Sequence, residues 1–251
     1  MYHLPSYYDI LNTPGTCEDI DLYERIAGQF NVELKRWLEP GCGTGRHLRV
    51  LAARGYDAHG FDCDDGMLRY GNQSLRNRGL SAKLYRAEMD AFLSAGQQPQ
   101  FDIAINPHST IRHLQSQESI ISHLNQISTC LRPGGIYIVG LSLARYSIDQ
   151  PETDLWLAAR GRLHVRQEIT YTPPLLGSRI ERVDSRLTIT RPSRTETHHD
   201  GYELRTSDVR QWERTLRQSK LKPVAILDED GLSAPKKHLS YYLYVLSHAC
   251  T

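Results

Sequence analysis

The sequence predicts an α/β fold: a mostly parallel seven-stranded sheet with helices on both faces, and a small antiparallel sheet inserted after strand five. Three observations predict it. Short apolar runs alternate with helical periodicities between residues 32 and 141, the pattern of a parallel sheet covered on both faces. A glycine-rich turn, Gly41-Cys42-Gly43-Thr44-Gly45, joins the first run to a following helix. After about residue 145 the apolar period becomes two, as in antiparallel strands.

Each element has its own warrant. Ile20, Tyr23, Ile26, Ala27 and Phe30 recur at helical spacing near the start. Val32 to Leu38 reads as the first strand. After the glycine turn, Leu48, Leu51 and Ala52 share one helical face, and Gly55 stops that helix. Asp57–Phe61 is the second strand, followed by a helix carrying Met67, Leu68 and Leu75. A third strand lies near Lys83–Arg86 and a fourth at Phe101–Ile105, bounded by Pro107. Ser116–Leu131 is the clearest helix, with Ile120, Ile121, Leu124, Ile127 and Leu131 on one face and a stop at Pro133-Gly134-Gly135. Ile136–Leu141 reads as a buried fifth strand. Leu163–Thr172 and Arg179–Arg191 alternate about a Pro173-Pro174 turn. Thr206–Ser219 is helical with a hydroxyl cap. Val224–Leu227 and Tyr241–Leu246 close the sheet. The expectation is one domain over 1–251, with residues 145–205 as an inserted antiparallel lid.

Composition narrows the function. Lys+Arg 30 against Asp+Glu 29 gives a formal net charge of +1, so no basic field calls for nucleic acid. Apolar residues at 39% exclude a disordered chain. No apolar run reaches the roughly 18–20 residues of a membrane span, and the opening residues Met1 to Ser6 lack the basic and apolar regions of a signal peptide. A soluble, cytoplasmic protein is expected, a monomer or homodimer, with no nucleic-acid or membrane partner. Five cysteines without a C-x-x-C pair predict reduced thiols and no zinc site. His198-His199-Asp200 reads as a solvated turn, because adjacent histidines on a strand point apart and cannot share a metal. No metal is expected.

Gly41, Gly43 and Gly45 let a ligand approach the backbone at a strand-to-helix turn, where open α/β sheets bind nucleotide-like ligands. The spacing is G-x-G-x-G, with Arg46 where a dinucleotide fingerprint has its third glycine. Glu39-Pro40-Gly41-Cys42-Gly43-Thr44-Gly45 resembles motif I of the class I S-adenosylmethionine-dependent methyltransferases. Further likenesses run in order: Ser6-Tyr7-Tyr8-Asp9, Gly60-Phe61-Asp62 with Gly66-Met67-Leu68, Ala87-Glu88-Met89-Asp90, Phe101–Ile105 and Leu131–Gly135. The resemblance implies a Rossmann-like fold and S-adenosyl-L-methionine as cofactor, leaving S-adenosyl-L-homocysteine as product. It implies Glu39 towards the cofactor's amino-acid end, and Gly41, Cys42, Gly43 and Gly45 as the loop whose backbone approaches the cofactor closely. Asp62 would hold the ribose hydroxyls, which a carboxylate accepts well. Met67 would cover an adenine face, with Glu88, Met89 and Asp90 at its edge and Asn106 also near the cofactor.

The implied partner is a small-molecule methyl acceptor. Asn106-Pro107-His108-Ser109 follows strand four and matches only half of the Asn-Pro-Pro-Tyr motif of base and amide methyltransferases. His108 and His113 are candidate catalytic bases. His108, Ser109, Tyr7 and Tyr8 are candidate acceptor contacts. The segment 163–204 resembles the insertion that covers the active site in glycine- and sugar-amine N-methyltransferases. Residues 160–196 hold eight arginines against four acidic residues, either a solvated outer face or a surface for an anionic acceptor. The expected function is methylation of a nitrogen, with oxygen second. The alternative is a cofactor-binding protein without catalysis.

Overall fold

The computed structural model describes residues 3–93, 100–175, 177–234 and 239–248. Two helices come first, α1 (Pro5–Asn12) and α2 (Thr16–Gln29). Then follow β1 (Arg36–Pro40), α3 (Arg46–Ala53), β2 (Asp57–Asp62), α4 (Asp65–Asn77), β3 (Lys83–Arg86) and β4 (Phe101–Asn106). A short 3-10 turn, Thr110–His113, leads to α5 (Gln117–Cys130) and β5 (Leu131–Leu141). Next come β6 (Glu152–Arg160), β7 (Leu163–Thr172), β8 (Ile180–Arg191) and β9 (Arg194–Arg205), then α6 (Val209–Gln218), β10 (Leu221–Leu227) and β11 (Tyr242–His248).

The large sheet has seven strands in the order β10-β11-β5-β4-β1-β2-β3. β1 to β5 pair in parallel, and β11 runs antiparallel to both β5 and β10. Strand order turns back between β1 and β4, which places the ligand crevice at their carboxyl ends. Alternation along the strands divides the core. Ala104, Tyr137, Val139, Tyr244 and Leu246 pack on one face with Ile120, Leu124 and Ile127 of α5 and Trp212 of α6. Ile103, Ile105, Ile136, Ile138 and Val245 pack on the other with Ile20 and Ile26 of α2 and Leu48 and Leu51 of α3. That is period two across one sheet and period 3.6 on its helices.

The second sheet is antiparallel in the order β6-β7-β8-β9. Val165, Leu187 and Ile189 on its inner face bury Ile10 and Leu11 of α1. The lid is therefore seated on the N-terminal helix.

Several elements differ from expectation: α6 starts at Val209 with Asp208, not a hydroxyl, as its cap, and β10 starts at Leu221. β1 begins at Arg36 rather than Val32; Val32 and Leu34 instead pack as an approach segment against the α2–α3 core. β5 begins at Leu131, because the Arg132–Gly135 stretch is absorbed as an irregularity between the pairs Phe101↔Leu131 and Ile103↔Ile136. The lid has four strands, not two. His198, His199 and Asp200 lie inside β9 rather than in a turn, paired with Leu187, Arg186 and Ser185.

Candidate active site

The glycine turn is built from left-handed backbone: φ is 67° at Gly41, 53° at Gly43 and 66° at Gly45. A Cβ on Gly41 would lie 2.7 Å from the Thr110 methyl, so the 3-10 turn after β4 packs directly on the loop. Gly45 caps α3 without a side-chain hydrogen bond to the first-turn amides, which helix geometry leaves without intrahelical partners. Cys42 is buried among apolar residues, and burial pushes its thiol well above the ordinary value. It is a packing thiol. Cys130 is buried too, Cys17 and Cys63 are exposed, and Cys250 lies outside the described residues.

Asp62 ends β2 beside this loop. Its Oδ2 accepts the Gly43 N–H at 2.8 Å and its Oδ1 the Asp64 N–H at 2.9 Å. Burial raises its pKa, against those two backbone bonds. Each oxygen retains a lone pair for a further hydroxyl donor.

Glu39 and Asn106 end the neighbouring strands β1 and β4, and both side chains are buried. Glu39 Oε1 takes a 2.6 Å hydrogen bond from His47 Nδ1, whereas Oε2 has no partner among the described residues. The Asn106 amide donates to the Pro40 carbonyl at 2.9 Å, and its Oδ1 likewise has no partner among the described residues. Two buried, unpartnered acceptors at adjacent strand ends are costly unless a donor meets them. A hydrogen-bond donor on a ligand would satisfy either of them.

Met89 Sδ stands 3.8 Å from the Asn106 amide nitrogen, and its carbonyl accepts from His123 Nδ1 at 2.8 Å. The Asp90 carbonyl is held by Ser122 of α5 at 2.8 Å. Glu88 is exposed beside them. Met67 is 1% exposed at the start of α4, so its side chain has no open face here.

The two N-terminal tyrosines part company. Tyr8 lies over the loop, 3.6 Å from where a Gly43 Cβ would be, and burial pushes its pKa up to about 12. Tyr7 turns to the lid, where its hydroxyl meets Arg191, whose guanidinium stacks 5.6 Å from the ring centre.

A cavity of about 850 Å³ lies between the lid and the ends of β4 and β5. Tyr8 and Thr110 line it and also touch the glycine loop, so cavity and loop share a wall. His108, Ser109, His113, Trp156, Tyr202 and Tyr241 line it as well. Its charged lining is acidic: Asp149, Glu152, Asp154, Glu181 and Glu229 against Arg112 and Arg145. Arg112 pairs with Glu181 at 2.6 Å and Arg145 with Asp149 at 2.9 Å, which leaves the balance negative. None of the eight arginines between 160 and 196 lines the cavity. Arg166 and Arg186 meet Glu168, Arg182 meets Asp184, and Arg191 and Arg194 meet Glu196. The solvated outer face is the reading that the geometry favours.

His108 and Ser109 both take left-handed backbone, with φ of 55° and 58°. Ser109 Oγ accepts the Ser142 N–H at 2.9 Å, tying this turn to β5. The His108 N–H donates to the Tyr241 hydroxyl at 2.8 Å. Gly140 makes that reach possible, since a Cβ there would fall 1.7 Å from the Tyr241 oxygen. His113 stacks on Tyr202 with centroids 5.5 Å apart, and burial, then Arg112, lowers its pKa.

Sequence reasoning missed three things. Asp9 is buried and accepts from Thr44 at 3.0 Å, Arg49 at 2.5 Å, Tyr70 at 3.1 Å and Arg160 at 3.3 Å, joining α1, the glycine loop, α4 and the lid. Tyr241 was read only as a strand residue. Asp19, Arg46 and His47 form a cluster beneath His108. The donor atoms of Asp19, His47 and His108 converge within 4.8 Å, and Arg46 already supplies a cation there, donating to Asp19 at 3.1 Å. The available signal was the Arg46-His47 pair placed directly after the loop.

The seven-stranded sheet with its inserted antiparallel sheet is the fold of solved S-adenosylmethionine-dependent methyltransferases. Residues 38–135 match a family model described as a methyltransferase domain. The chain is 31% identical over 138 residues to a fatty-acid O-methyltransferase of Mycolicibacterium smegmatis, covering 54% of this chain and 47% of that protein. It spans less than half the length of the curated relatives it matches. Among solved structures it is similar to DesVI of Streptomyces venezuelae, with TM-score 0.78 and 17% identity over 97% of this chain and 95% of that one. It is also similar to CalS10 of Micromonospora echinaspora, an amino pentose methyltransferase, with TM-score 0.70 and 17% identity over 91% and 89%.

Proposed function

We propose that the chain transfers a methyl group from S-adenosylmethionine to a nitrogen of a small, polar, amine-bearing metabolite held under the lid. The observation that carries this reading is the acid-lined cavity sharing a wall with the glycine loop. The bound cofactor supplies an electrophilic methyl carbon on a sulfonium. Asp62 accepts its ribose hydroxyls, and Glu39 Oε2 and Asn106 Oδ1 receive its ammonium. The backbone of Gly41–Gly45 approaches its amino-acid end, while Glu88, Met89 and Asp90 flank its adenine. Tyr8 and Thr110 stand between this site and the acceptor, where they fix the line of approach that an in-line displacement needs.

An acidic lining favours acceptors that arrive as ammonium ions. It disfavours phosphates and carboxylates, which would meet uncompensated like charge. Only the free amine attacks, so the ammonium gives its proton to solvent water before transfer. The likeness to CalS10, an amino pentose methyltransferase, and to the sugar N-methyltransferase KedS8 supports nitrogen, whereas the likeness to the mycobacterial fatty-acid O-methyltransferase speaks for oxygen.

The test is incubation with S-adenosylmethionine and matched panels of amino sugars, small amines, hydroxylated analogues and fatty acids. S-adenosylhomocysteine release and product mass are read together. Methylated amines are expected. Methylation confined to oxygen, or to carboxylates, overturns the choice of nitrogen. Tight cofactor binding with no turnover across every panel favours a non-catalytic binding protein.

A further inference from the structure

Two histidines lie stacked beneath the cavity, His47 under His108, with ring centres 6.1 Å apart and planes within 8°. We infer that they are held in opposite protonation states: His47 as an imidazolium, and His108 neutral with its single ring proton on Nδ1, offered to the acceptor as a hydrogen-bond donor. Arg46 and Asp19 are the positioning residues that set both. The inference rests on the proposed acceptor cavity only for what the Nδ1 proton meets.

The argument is one of donors and acceptors. His47 Nδ1 lies 2.6 Å from Glu39 Oε1 and its Nε2 3.1 Å from Asp19 Oδ2. Ionised carboxylates only accept, so both ring nitrogens donate and the ring carries a charge. His108 differs. Its Nε2 lies 2.5 Å from Arg46 Nη2 and 3.5 Å from Asp19 Oδ2. A guanidinium has five donors and no lone pair to offer, and it does not deprotonate in proteins. The shorter contact therefore makes Nε2 an acceptor, and the longer one is at the limit of a hydrogen bond. A neutral imidazole that accepts at Nε2 has its proton at Nδ1. The side chain is 52% exposed where it lines the cavity, so Nδ1–H is the ring's remaining polar group.

Charge balance agrees. Glu39 and Asp19 are matched by His47 and Arg46, and a proton on His108 would add a third cation against both. Burial lowers the His108 pKa, with Arg46 and His47 adding to that and Asp19 opposing it. Burial works against charge on His47, but Glu39 and Asp19 raise its pKa above 6.5. The remaining neighbour of His108, Tyr241, meets its backbone and not its ring. A donor at this place orients an acceptor oxygen adjoining the reacting nitrogen. It does not collect the acceptor's proton, because Nδ1 already holds one and Nε2 is engaged by Arg46.

The test begins with the intact protein labelled with 15N-histidine, observed near neutral pH through long-range proton–nitrogen couplings. The signals are assigned by their loss in His108→Asn and His47→Gln. His108 should show a protonated Nδ1 and a bare Nε2, and His47 two protonated nitrogens. A proton on His108 Nε2, or a neutral His47, overturns the inference whether or not an acceptor has been found. The kinetic arm uses an acceptor from the amine panel. His108→Ala should raise the acceptor KM about tenfold, the loss of about one good hydrogen bond. Cofactor Kd should be unchanged. His108→Asn places an amide N–H near the lost Nδ1–H and suits left-handed backbone, so it should recover most of that loss. Were His108 a general base, Asn would lower kcat by about 10²–10⁴ and remove a limb of the pH profile. That result overturns the donor assignment. Failure of every amine, with the spectrum as expected, instead overturns the acceptor reading.

Discussion

At the scale of single residues, the proposed cofactor site rests on Asp62 and the buried hub on Asp9, and the two make different predictions. Asp62 has two backbone donors and spare lone pairs, so its removal costs the ligand more than the fold. S-adenosylhomocysteine at about 100 times its Kd should stabilise the wild-type protein by roughly 2.7 kcal/mol. In Asp62→Ala most of that gain should vanish in a thermal-shift titration, while the unliganded protein still unfolds cooperatively. An unaltered shift means the ribose lies elsewhere. Asp9 is the reverse case. Its partner Arg49 is itself buried, at 7% exposure. Asp9→Ala leaves that guanidinium uncompensated, and removing one partner of a buried pair typically costs about 3–5 kcal/mol. Urea unfolding measures it, and a loss below about 1 kcal/mol would show that Arg49 finds water or another partner. The turn of Gly41, Gly43 and Gly45 and the strand-end placement of Glu39 and Asp62 were legible, because one short motif holds the loop and each acid lies at the end of a strand. Asp9, Asp19 and Arg49 were not, because their roles arise from contacts 27 to 151 residues apart in sequence.

Elements with clean periodicity were legible and those without it were not. α5 was read almost to the residue, since Ile120, Leu124 and Ile127 bury one stripe and Ser116 caps the first turn at 2.9 Å. β6 was missed because its apolar residues do not mark its inner face: Leu155 and Leu157 are 52% and 67% exposed, while Trp156 is half-buried. β9 was missed because Leu204 alone among its residues is buried; hydrogen bonding to β8, not an apolar stripe, holds it. α5 also carries a pH-sensitive tie. His123 Nδ1 donates to the Met89 carbonyl at 2.8 Å, and Nε2 faces the Tyr137 hydroxyl at 2.8 Å. Burial lowers its pKa from 6.5 to about 4. The folded state favours the neutral ring, so this contribution is complete above pH 6.5 and is lost as pH falls towards about 4. It amounts to about 3 kcal/mol at most by linkage. His123→Gln should flatten the fall in stability between those two pH values. A slope equal to that of the wild type would place the acid sensitivity in other groups.

On the scale of the whole molecule, the chain is almost neutral, with a net charge of +1, yet its charges are sorted. Lid arginines pair with lid acids on the outside, and the cavity retains unneutralised carboxylates. No helix among the described residues is long and apolar enough to cross a membrane. The lid cannot be treated as a detachable cover, because Ile10 and Leu11 of α1 pack on it and Tyr8, on the same helix, covers the glycine loop. Excising 163–204 would thus disturb both sites at once, and substitutions in the lining separate them better. Asp154 is half-buried in the cavity wall, and Glu152 is exposed nearby. Neither has a charged partner among the described residues. If the cavity selects ammonium acceptors by field, Asp154→Asn with Glu152→Gln should raise the acceptor KM several-fold at low salt and leave cofactor Kd unchanged. The wild-type KM should itself rise with ionic strength, since surface-near attractions weaken beyond a Debye length of about 10 Å at 0.1 M. The double variant should lose much of that salt dependence. Equal salt slopes in the two proteins, with equal KM, would mean that shape and hydrogen bonding choose the acceptor and that the acidic wall is only a solvated rim.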